Sequence, residues 1–449
     1  MPLILRFTVA TYEIIAELAP TISRSIANDQ SFLRNMKPCT ALLLFFFCQF
    51  CYAQKPENVL EKILYDNPKQ FKKITDNPQK YEIQILYTQI DRDAQNRPSF
   101  KSYSYQLDAN KYFYPASTVK FPAVLLAMEK INDLKIKGLT INSTMLTDSA
   151  GHGQISVLTD TTAQNQLPSV AHYAKKILLV SDNEAFNRLY EFVGQGEFNQ
   201  KLRAKNYPSV RILHRLSTPL SATENRYTNP IRFVNGTTNI YAQAEQFNPK
   251  NLVPSTCILK GQGYYKNDSL VREPFDFTTK NFFGIANQQE MLKAVLFPEA
   301  VAKQKRFRLT ADDYQFLYQY MSQLPSETRH PYYDPKEFYD SYCKFTMFGD
   351  RKEPMPKHIR VFNKVGDAYG FLLDNAYIAD FKTGVEFMLS AVIYCNEDQI
   401  FNDDKYVYDT IGHPFFGDIG RLIYQHELTR PRKHKANLSK FDVVGKTKY

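Results

Sequence analysis

Ser117 and Lys120 are side chains whose types and spacing could produce an activated nucleophile. A serine hydroxyl is a poor nucleophile until a neighbouring base takes its proton. Residues three apart on a helix share a face, so Ser117-Thr-Val-Lys120 brings an amine beside a hydroxyl. A lysine can act as that base when burial and nearby charge lower its pKa, and the dipole at a helix N-terminus favours developing negative charge. The pair predicts nucleophilic catalysis by Ser117.

The spacing alone is not diagnostic, because Ser341-Tyr-Cys-Lys344 repeats it. Two further motifs follow Lys120 in order along the chain. Ser181-Asp-Asn183 comes directly after an apolar run, and Lys364-Val-Gly366 lies on a late predicted strand. The ordered set of three motifs therefore carries more information than either Ser-x-x-Lys sequence.

A second candidate for the third motif is Lys382-Thr-Gly384. It falls in a polar turn between two predicted strands, where its side chains would face solvent. Lys364-Val-Gly366 instead ends a strand and precedes Asp367-Ala-Tyr-Gly370, a glycine-containing turn into the next strand. We therefore select Lys364 and reject Lys382.

The three motifs in this order resemble those of the class A β-lactamases and penicillin-binding proteins, a superfamily of serine acyl-transfer enzymes. The resemblance covers residues from about 81 to 427 and includes the approach Phe113-Tyr-Pro-Ala-Ser117. It implies an α+β fold in which an antiparallel sheet is built from both chain ends, is flanked by helices and carries an inserted helical lobe. The residues from 54 to 429 would form this catalytic domain, with insertions near 235–282 and 327–356.

The resemblance also implies a role for each matching side chain. Ser117 would attack a carbonyl carbon and form an acyl-enzyme, and Lys120 would take or relay its proton. Ser181 would pass a proton to the leaving nitrogen. Asn183 would hydrogen-bond the substrate or Lys120. These roles predict the opening of an amide such as a β-lactam.

The third motif is expected to bind the substrate and departs from the usual pattern. Lys364 would hold Ser181 and supply positive charge for a substrate carboxylate, and Gly366 lies beside it. The backbone N–H groups of Ser117 and Asp367 would form the oxyanion hole. Val365 replaces a hydroxyl residue that grips the carboxylate, and Asp367 brings a negative side chain next to it. Both changes weaken the case for an anionic β-lactam.

Class A enzymes hydrolyse the acyl-enzyme with a glutamate between the second and third motifs. The candidate here is Glu224, with Asn229 to orient the water. The family's asparagine lies one residue closer to its glutamate, so the alignment is loose. A surface-loop glutamate is the open alternative.

Composition fits a large globular protein. Of 449 residues, 43% are hydrophobic, and 30 Tyr and 33 Phe accompany no Trp, which predicts an aromatic-rich core. The net charge is +10, and the segment 430–449 is expected to be a solvated basic tail. No basic module with interleaved aromatic residues indicates nucleic-acid binding. We expect a small-molecule substrate, no nucleic-acid partner, no metal and no organic cofactor.

The segment 36–53 has a basic start, a short apolar run and a small residue at Ala53, which together predict a secretory signal peptide. Residues 1–35 would then be an upstream extension. The apolar run is too short to span a bilayer comfortably, so no stable membrane span is expected. A periplasmic or secreted enzyme is predicted. Cleavage near Ala53 would leave Cys257, Cys343 and Cys395, enough for one bridge at most.

Local patterns predict the elements that must hold these residues. Segments 81–90 and 100–107 form a hairpin, and helices cover 115–130, 169–193 and 311–324. Strands cover 358–364, 372–380 and 385–394, and a terminal helix covers 409–427. Strands at both ends with helices between them are typical of one sheet made from both termini.

Three functions remain open at this point: a β-lactamase-like hydrolase that turns over, a cell-wall peptidase or esterase with slow or different deacylation, and a catalytically inactive envelope binding protein. The intact Ser117, Lys120, Ser181, Asn183 and Lys364 argue against the third.

Overall fold

The computed structural model describes residues 58–151 and 155–444. The predicted extension 1–35, the predicted signal peptide 36–53 and the cleavage position near Ala53 lie outside these residues. Cys257, Cys343 and Cys395 are free thiols. None of the described helices combines the length and apolar character that crossing a membrane requires.

Ten helices occur in the described residues. They are α1 Val59–Asp66, α2 Pro68–Thr75, α3 Lys120–Leu134, α4 Val170–Val180, α5 Asn183–Val193, α6 Gln195–Ala204, α7 Ile285–Leu296, α8 Ala311–Ser322, the short kinked α9 Phe345–Phe348 and α10 His413–Thr429.

Fifteen strands occur in the same residues. They are β1 Gln84–Arg92, β2 Pro98–Tyr105, β3 Thr144–Thr147, β4 Tyr227–Thr228, β5 Ile231–Asn235, β6 Thr238–Gln243, β7 Gln246–Phe247, β8 Leu259–Lys260, β9 Gly263–Lys266, β10 Ser269–Val271, β11 Phe275–Asp276, β12 Ile359–Ala368, β13 Phe371–Asp380, β14 Val385–Tyr394 and β15 Ile400–Phe401.

The main sheet joins the two ends of the described chain. Its strand order is β12-β13-β14-β1-β2, and all neighbouring pairs are antiparallel. All ten residues of β13 and all ten of β14 are buried, so these central strands are covered on both faces. The predicted α+β fold with one sheet from both termini is confirmed.

Successive side chains of each strand point to opposite faces of the sheet and pack into two separate hydrophobic cores. On one face, Met388 and Val392 of β14 belong to the core that includes α7. On the other face, Phe387 and Leu389 pack into the core that includes α1, α2 and α10. The sheet is therefore the middle of three layers, and β12 is its edge on the side of the predicted nucleophile.

Helix α3 runs through the middle of the helical lobe. Twelve consecutive residues, from Lys120 to Ile131, are buried. A helix that is buried on all sides forms the centre of a core rather than its cover. It is therefore a rigid support for the residues at its N-terminus.

The helical stretch expected over 169–193 is present, but it is divided into two helices, α4 and α5. Helix α4 ends at Ser181, whose φ of 62° lies in the left-handed region. Asp182 then caps α5, and its carboxylate accepts a hydrogen bond of 2.7 Å from the backbone N–H of Ala185. An aspartate before a helical run competes with helix continuation and favours a cap.

The prediction of a solvated tail over 430–449 is wrong for the described part of this segment. Phe441 is 1% exposed and packs edge-on against Phe297. Arg430 pairs with Asp91 at 2.6 Å. The segment therefore covers the sheet rather than leaving it. The middle of the chain, expected to be mainly helical, also contains the small strands β3 to β11.

Candidate active site

Ser117 lies in a one-turn 3₁₀ helix, Ala116–Val119, directly ahead of α3. The predicted helix is thus present, but its first turn is 3₁₀ and Lys120 is the first residue of the α-helix. The Lys120 Nζ lies 2.8 Å from the Ser117 Oγ. The spacing of three residues brings the hydroxyl and the amine together as predicted.

Lys120 is fully buried and surrounded by oxygen acceptors. Besides Ser117, its amine hydrogen-bonds the backbone carbonyl of Ser181, the Ser181 Oγ at 3.2 Å and the Asn183 Oδ1 at 2.6 Å. Burial, and then the positive charge of Lys364, hold the pKa of Lys120 well below its ordinary value. A neutral amine can accept a proton from the serine that it contacts.

The break between α4 and α5 gives the second motif its geometry. Because Ser181 ends one helix and Asn183 begins the next, both side chains and the Ser181 carbonyl reach Lys120. A continuous helix would have kept that carbonyl in its own hydrogen-bond ladder.

Lys364 closes the network from strand β12. Its Nζ donates to the Ser181 Oγ at 2.7 Å and to the Val365 carbonyl at 2.9 Å. Burial lowers the pKa of Lys364 to about 8. The two amines therefore approach Ser181 from different elements, and the positive charge of Lys364 disfavours the charged form of Lys120.

Gly366 lets the edge strand approach the nucleophile. A Cβ at this position would lie 2.9 Å from the Ser117 backbone nitrogen and 2.9 Å from the Pro115 carbonyl oxygen. Only a residue without a side chain allows that approach. Gly366 therefore brings the backbone of β12 against the turn that carries Ser117.

The next residue, Asp367, has its backbone N–H on the unpaired side of the edge strand β12. Tyr369 and Gly370 have φ values of 53° and 78°, and Ala368 pairs with Phe371 across this two-residue turn. The pair that closes such a turn is hydrogen-bonded, so the Asp367 N–H points away from β13.

Left-handed backbone conformations at non-glycine residues cluster around this site. Ala116, Ser181, Ser217 and Tyr369 have φ values of 47°, 62°, 54° and 53°, and all four line one cavity. Each such residue costs about 1–2 kcal/mol. Strain of this kind concentrates where geometry serves a function.

The cavity in front of Ser117 has a volume of about 660 Å³. Ser117, Ser181, Asn183, Val365 and Asp367 all line it. The structure thus brings together the side chains of the three predicted motifs, with Lys120 and Lys364 buried behind them. Among the described residues, no group of three or more His, Cys, Asp or Glu is arranged to hold a metal ion.

Glu224 and Asn229 are placed differently. Glu224 accepts a hydrogen bond of 2.7 Å from the Ser221 backbone N–H, which makes it the cap of its own turn. Asn229 accepts from the Ala150 N–H at 3.2 Å. Neither residue is among the described residues that line the cavity. Glu224 and Asn229 therefore lie apart from the predicted site residues that line the cavity.

Ser217 is a site residue that the sequence reasoning missed. Its Oγ accepts a hydrogen bond of 2.9 Å from the Asn183 Nδ2, and it lines the cavity. No local pattern marked it, because its position depends on the loop that follows α6. A serine hydroxyl, rather than a carboxylate, therefore contacts Asn183 at this point.

The rejected Lys382-Thr-Gly384 forms the turn between β13 and β14. Asp380 accepts hydrogen bonds from the backbone N–H groups of Lys382 at 2.8 Å and Thr383 at 3.2 Å. Gly384 has a φ of 77°. These residues do not line the cavity, as the sequence reasoning expected.

A family model described as "Beta-lactamase enzyme family" matches residues 68–262. The matched range contains Ser117, Lys120 and the Ser181-Asp-Asn183 motif. The match confirms the resemblance to the β-lactamases over the range that holds the first two motifs. A search of curated proteins finds no match.

Solved structures of the same kind resemble this chain. A β-lactamase from Sphaerobacter thermophilus DSM 20745 is 12% identical with a TM-score of 0.44, and the alignment covers 80% of this chain and 96% of that one. A class A β-lactamase from Clostridium kluyveri DSM 555 is 13% identical with a TM-score of 0.45, covering 80% and 98%. PBP-A is 15% identical with a TM-score of 0.43, covering 83% and 96%.

Proposed function

We propose that this protein is a serine hydrolase that opens an amide or ester through an acyl-enzyme on Ser117. The observation that carries the proposal is the contact of 2.8 Å between the Ser117 Oγ and the Nζ of a fully buried Lys120. Because the pKa of Lys120 is held well below its ordinary value, its amine loses its proton more readily than that of an exposed lysine and can act as a base. Lys120 would take the Ser117 proton as the oxygen attacks the carbonyl carbon.

The surrounding groups fit the remaining steps of acylation. The N–H groups of Ser117 and Asp367 would stabilise the oxyanion. Ser181 lies between the amines of Lys120 and Lys364, so it can pass a proton to the leaving nitrogen. These donors lie on the 3₁₀ turn that leads into α3, on the α4–α5 junction and on β12, and elements of regular structure hold such groups in position.

The fate of the acyl group divides the proposal into two candidates. Fast hydrolysis, as in a β-lactamase, needs a base that activates water, and Glu224 is the candidate that the resemblance supplies. Slow hydrolysis, as in a cell-wall peptidase or esterase, is favoured by one specific observation. The residue that contacts Asn183 in the cavity is Ser217, and Glu224 caps its own turn outside the lining.

Export is the last part of this proposal. The segment 36–53 would direct the protein to the periplasm or outside the cell, with cleavage near Ala53. N-terminal sequencing of the exported protein tests this directly. A mature N-terminus well upstream of Gln54 would contradict it.

One experiment separates the enzymatic candidates from an inactive binding protein. The purified protein is incubated with a chromogenic cephalosporin, a fluorescent penicillin and an activated ester, while turnover and intact mass are followed. Steady turnover of a β-lactam supports the first candidate, and a stable adduct on Ser117 supports the second. A protein that forms no adduct with any of the three, like its own Ser117→Ala variant, would be an inactive binding protein.

A further inference from the structure

The cavity in front of Ser117 is acidic, although the whole chain has a net charge of +10. Its described lining includes Asp367 and Asp404 and contains no lysine or arginine. Lys120 and Lys364 are 0% and 3% exposed, and their amines are turned toward the serines of the site. A ligand that enters the cavity therefore meets carboxylates before it meets amines.

Asp367 and Val365 present one face of β12 to this cavity. Side chains two residues apart in a strand point to the same side, and both residues line the cavity. Between them, Gly366 lies against the Ser117 backbone. The side chains that β12 presents to the cavity beside Ser117 are thus one aliphatic group and one carboxylate.

The Asp367 carboxylate is not neutralised by a direct partner. No hydrogen bond or ion pair of this side chain occurs among the described residues. Burial raises the pKa of the Asp367 carboxyl, while the more distant charges of Lys364 and Lys120 favour its ionised form. Asp367 is accessible from the cavity. It is therefore free to pair with a group that a ligand supplies.

Tyrosine side chains line the same cavity as this carboxylate. Tyr342 and Tyr408 line the cavity and lie close enough for the charge of Asp367 to raise their pKa values, after the larger effect of burial. Aromatic faces attract cations. An aromatic wall beside an unpaired carboxylate is the environment that a substituted ammonium group prefers.

We propose that Asp367, with Val365 beside it, selects a substrate that carries an ammonium group near the scissile carbonyl and rejects one that carries a carboxylate there. The inference rests on the proposed acylation of Ser117 and names the substrate class for that reaction. A ligand carboxylate would meet Asp367 as a like charge and would find no hydroxyl at position 365. A ligand ammonium would pair with Asp367 and contact the tyrosine faces.

Three activated esters with a common leaving group test the selection. At one carbon of the acyl group they carry an ammonium, a carboxamide or a carboxylate. Acylation rates of Ser117 are measured by intact mass, and each is divided by the ester's own rate of hydroxide hydrolysis. We expect the ammonium ester to exceed the carboxylate ester by about 10- to 100-fold. Equal normalised rates would overturn the inference.

Asp367→Asn should reduce that ratio to within about threefold, mainly by accelerating the carboxylate ester. Asp268→Asn is the matched control: it removes the same charge from an exposed turn outside the cavity lining and should leave the ratio unchanged. An unchanged ratio in Asp367→Asn would contradict the role of this residue.

Binding to the Ser117→Ala variant separates this inference from the proposed function. The corresponding primary amides, which cannot acylate the variant, are titrated by calorimetry. The ammonium amide should bind at least about tenfold more tightly than the carboxylate amide. If no ester acylates wild-type Ser117 but this preference is present, the proposed reaction fails and the selection stands. If both amides bind equally, the selection fails whatever the reactivity of Ser117.

Discussion

Ser117–Lys120 and Ser341–Lys344 have the same spacing, and both lysines are buried. Their amines serve different purposes. Lys120 reaches the hydroxyl of its own serine at 2.8 Å, inside a network that opens onto a cavity. Its position at the start of α3 brings the two side chains to one face.

Lys344 turns away from Ser341. The Ser341 hydroxyl donates to the Arg351 carbonyl, and the Lys344 amine donates to three oxygens, those of Met321 O at 2.6 Å, Val361 O at 2.9 Å and Asn363 Oδ1 at 2.8 Å. Burial lowers the pKa of Lys344 to about 8. A buried lysine with a lowered pKa is therefore not by itself a catalytic base, because the amine must also reach a nucleophile.

Removing the hydroxyl of Ser117 and, separately, that of Ser341 should give the largest difference in acylation between the two Ser-x-x-Lys sequences. We expect Ser117→Ala to abolish the covalent adduct and to reduce any turnover by about 10⁴-fold or more, because the variant lacks the hydroxyl that Lys120 contacts at 2.8 Å and that attacks the carbonyl carbon. Ser341→Ala should change acylation by less than about threefold and cost about 1 kcal/mol of stability, since the Arg351 carbonyl loses a donor. Intact mass and urea unfolding measure the two effects. Loss of the adduct in Ser341→Ala with the fold intact would contradict the comparison.

Removing the two amines should separate catalysis from stability. Lys120→Met is expected to slow acylation by about 10²- to 10⁴-fold, the range of a lost general base. Lys344→Met should retain acylation but lower the free energy of unfolding by about 3 kcal/mol, because Asn363 and two carbonyls lose a buried charged donor. A folded Lys344→Met protein that acylates as slowly as Lys120→Met would contradict the assignment of Lys344 to stability alone.

The acyl-enzyme offers a smaller test at the partner of Asn183. Ser217→Glu would place a carboxylate where the Ser217 hydroxyl now contacts the Asn183 amide, and we expect deacylation to accelerate by about tenfold or more. Glu224→Gln should change deacylation by less than about threefold, since this carboxylate lies outside the cavity lining. Decay of the adduct mass gives both rates. A tenfold slowing in Glu224→Gln would make Glu224 the deacylating base.

The pH dependence should give the smallest effect. Lys120 must be neutral to accept a proton, so acylation of a neutral ester should fall at acidic pH, below the lowered pKa of Lys120. Lys364 loses its charge near its pKa of about 8, so acylation should fall by about threefold to tenfold above pH 8. Lys344→Met should keep this alkaline limb although Lys344 also titrates near 8. Loss of the alkaline limb in Lys344→Met would show that Lys344, rather than Lys364, produces it.

Much of the fold could be predicted because its strands are long and locally patterned. The predicted strand 385–394 has the bounds of β14, and 372–380 differs from β13 by one residue. The three motifs could be found because each is a short run whose residues act together. Their order along the chain, rather than any single spacing, separated Ser117 from Ser341.

The features that the sequence did not predict depend on contacts between segments that are distant along the chain. The helix break at Ser181 is produced by the left-handed backbone of this residue and by the Asp182 cap. The apolar run before Ser181 gave no sign of it in the sequence. Ser217 acquires its place only through the Asn183 amide. Phe441 is buried because the sheet has an apolar surface to cover, although the segment 430–449 as a whole carries an excess of basic residues. Local sequence patterns do not record these contacts.

The most direct test of the central claim maps the acyl group on the wild-type protein. After reaction with an activated ester, tryptic digestion yields residues 112–120, which contain Ser117, and residues 337–344, which contain Ser341. We predict one acyl group on Ser117 in the first peptide and none in the second. An adduct on Ser341, an adduct on the Lys120 amine that blocks cleavage after residue 120, or no adduct on either peptide would contradict the account.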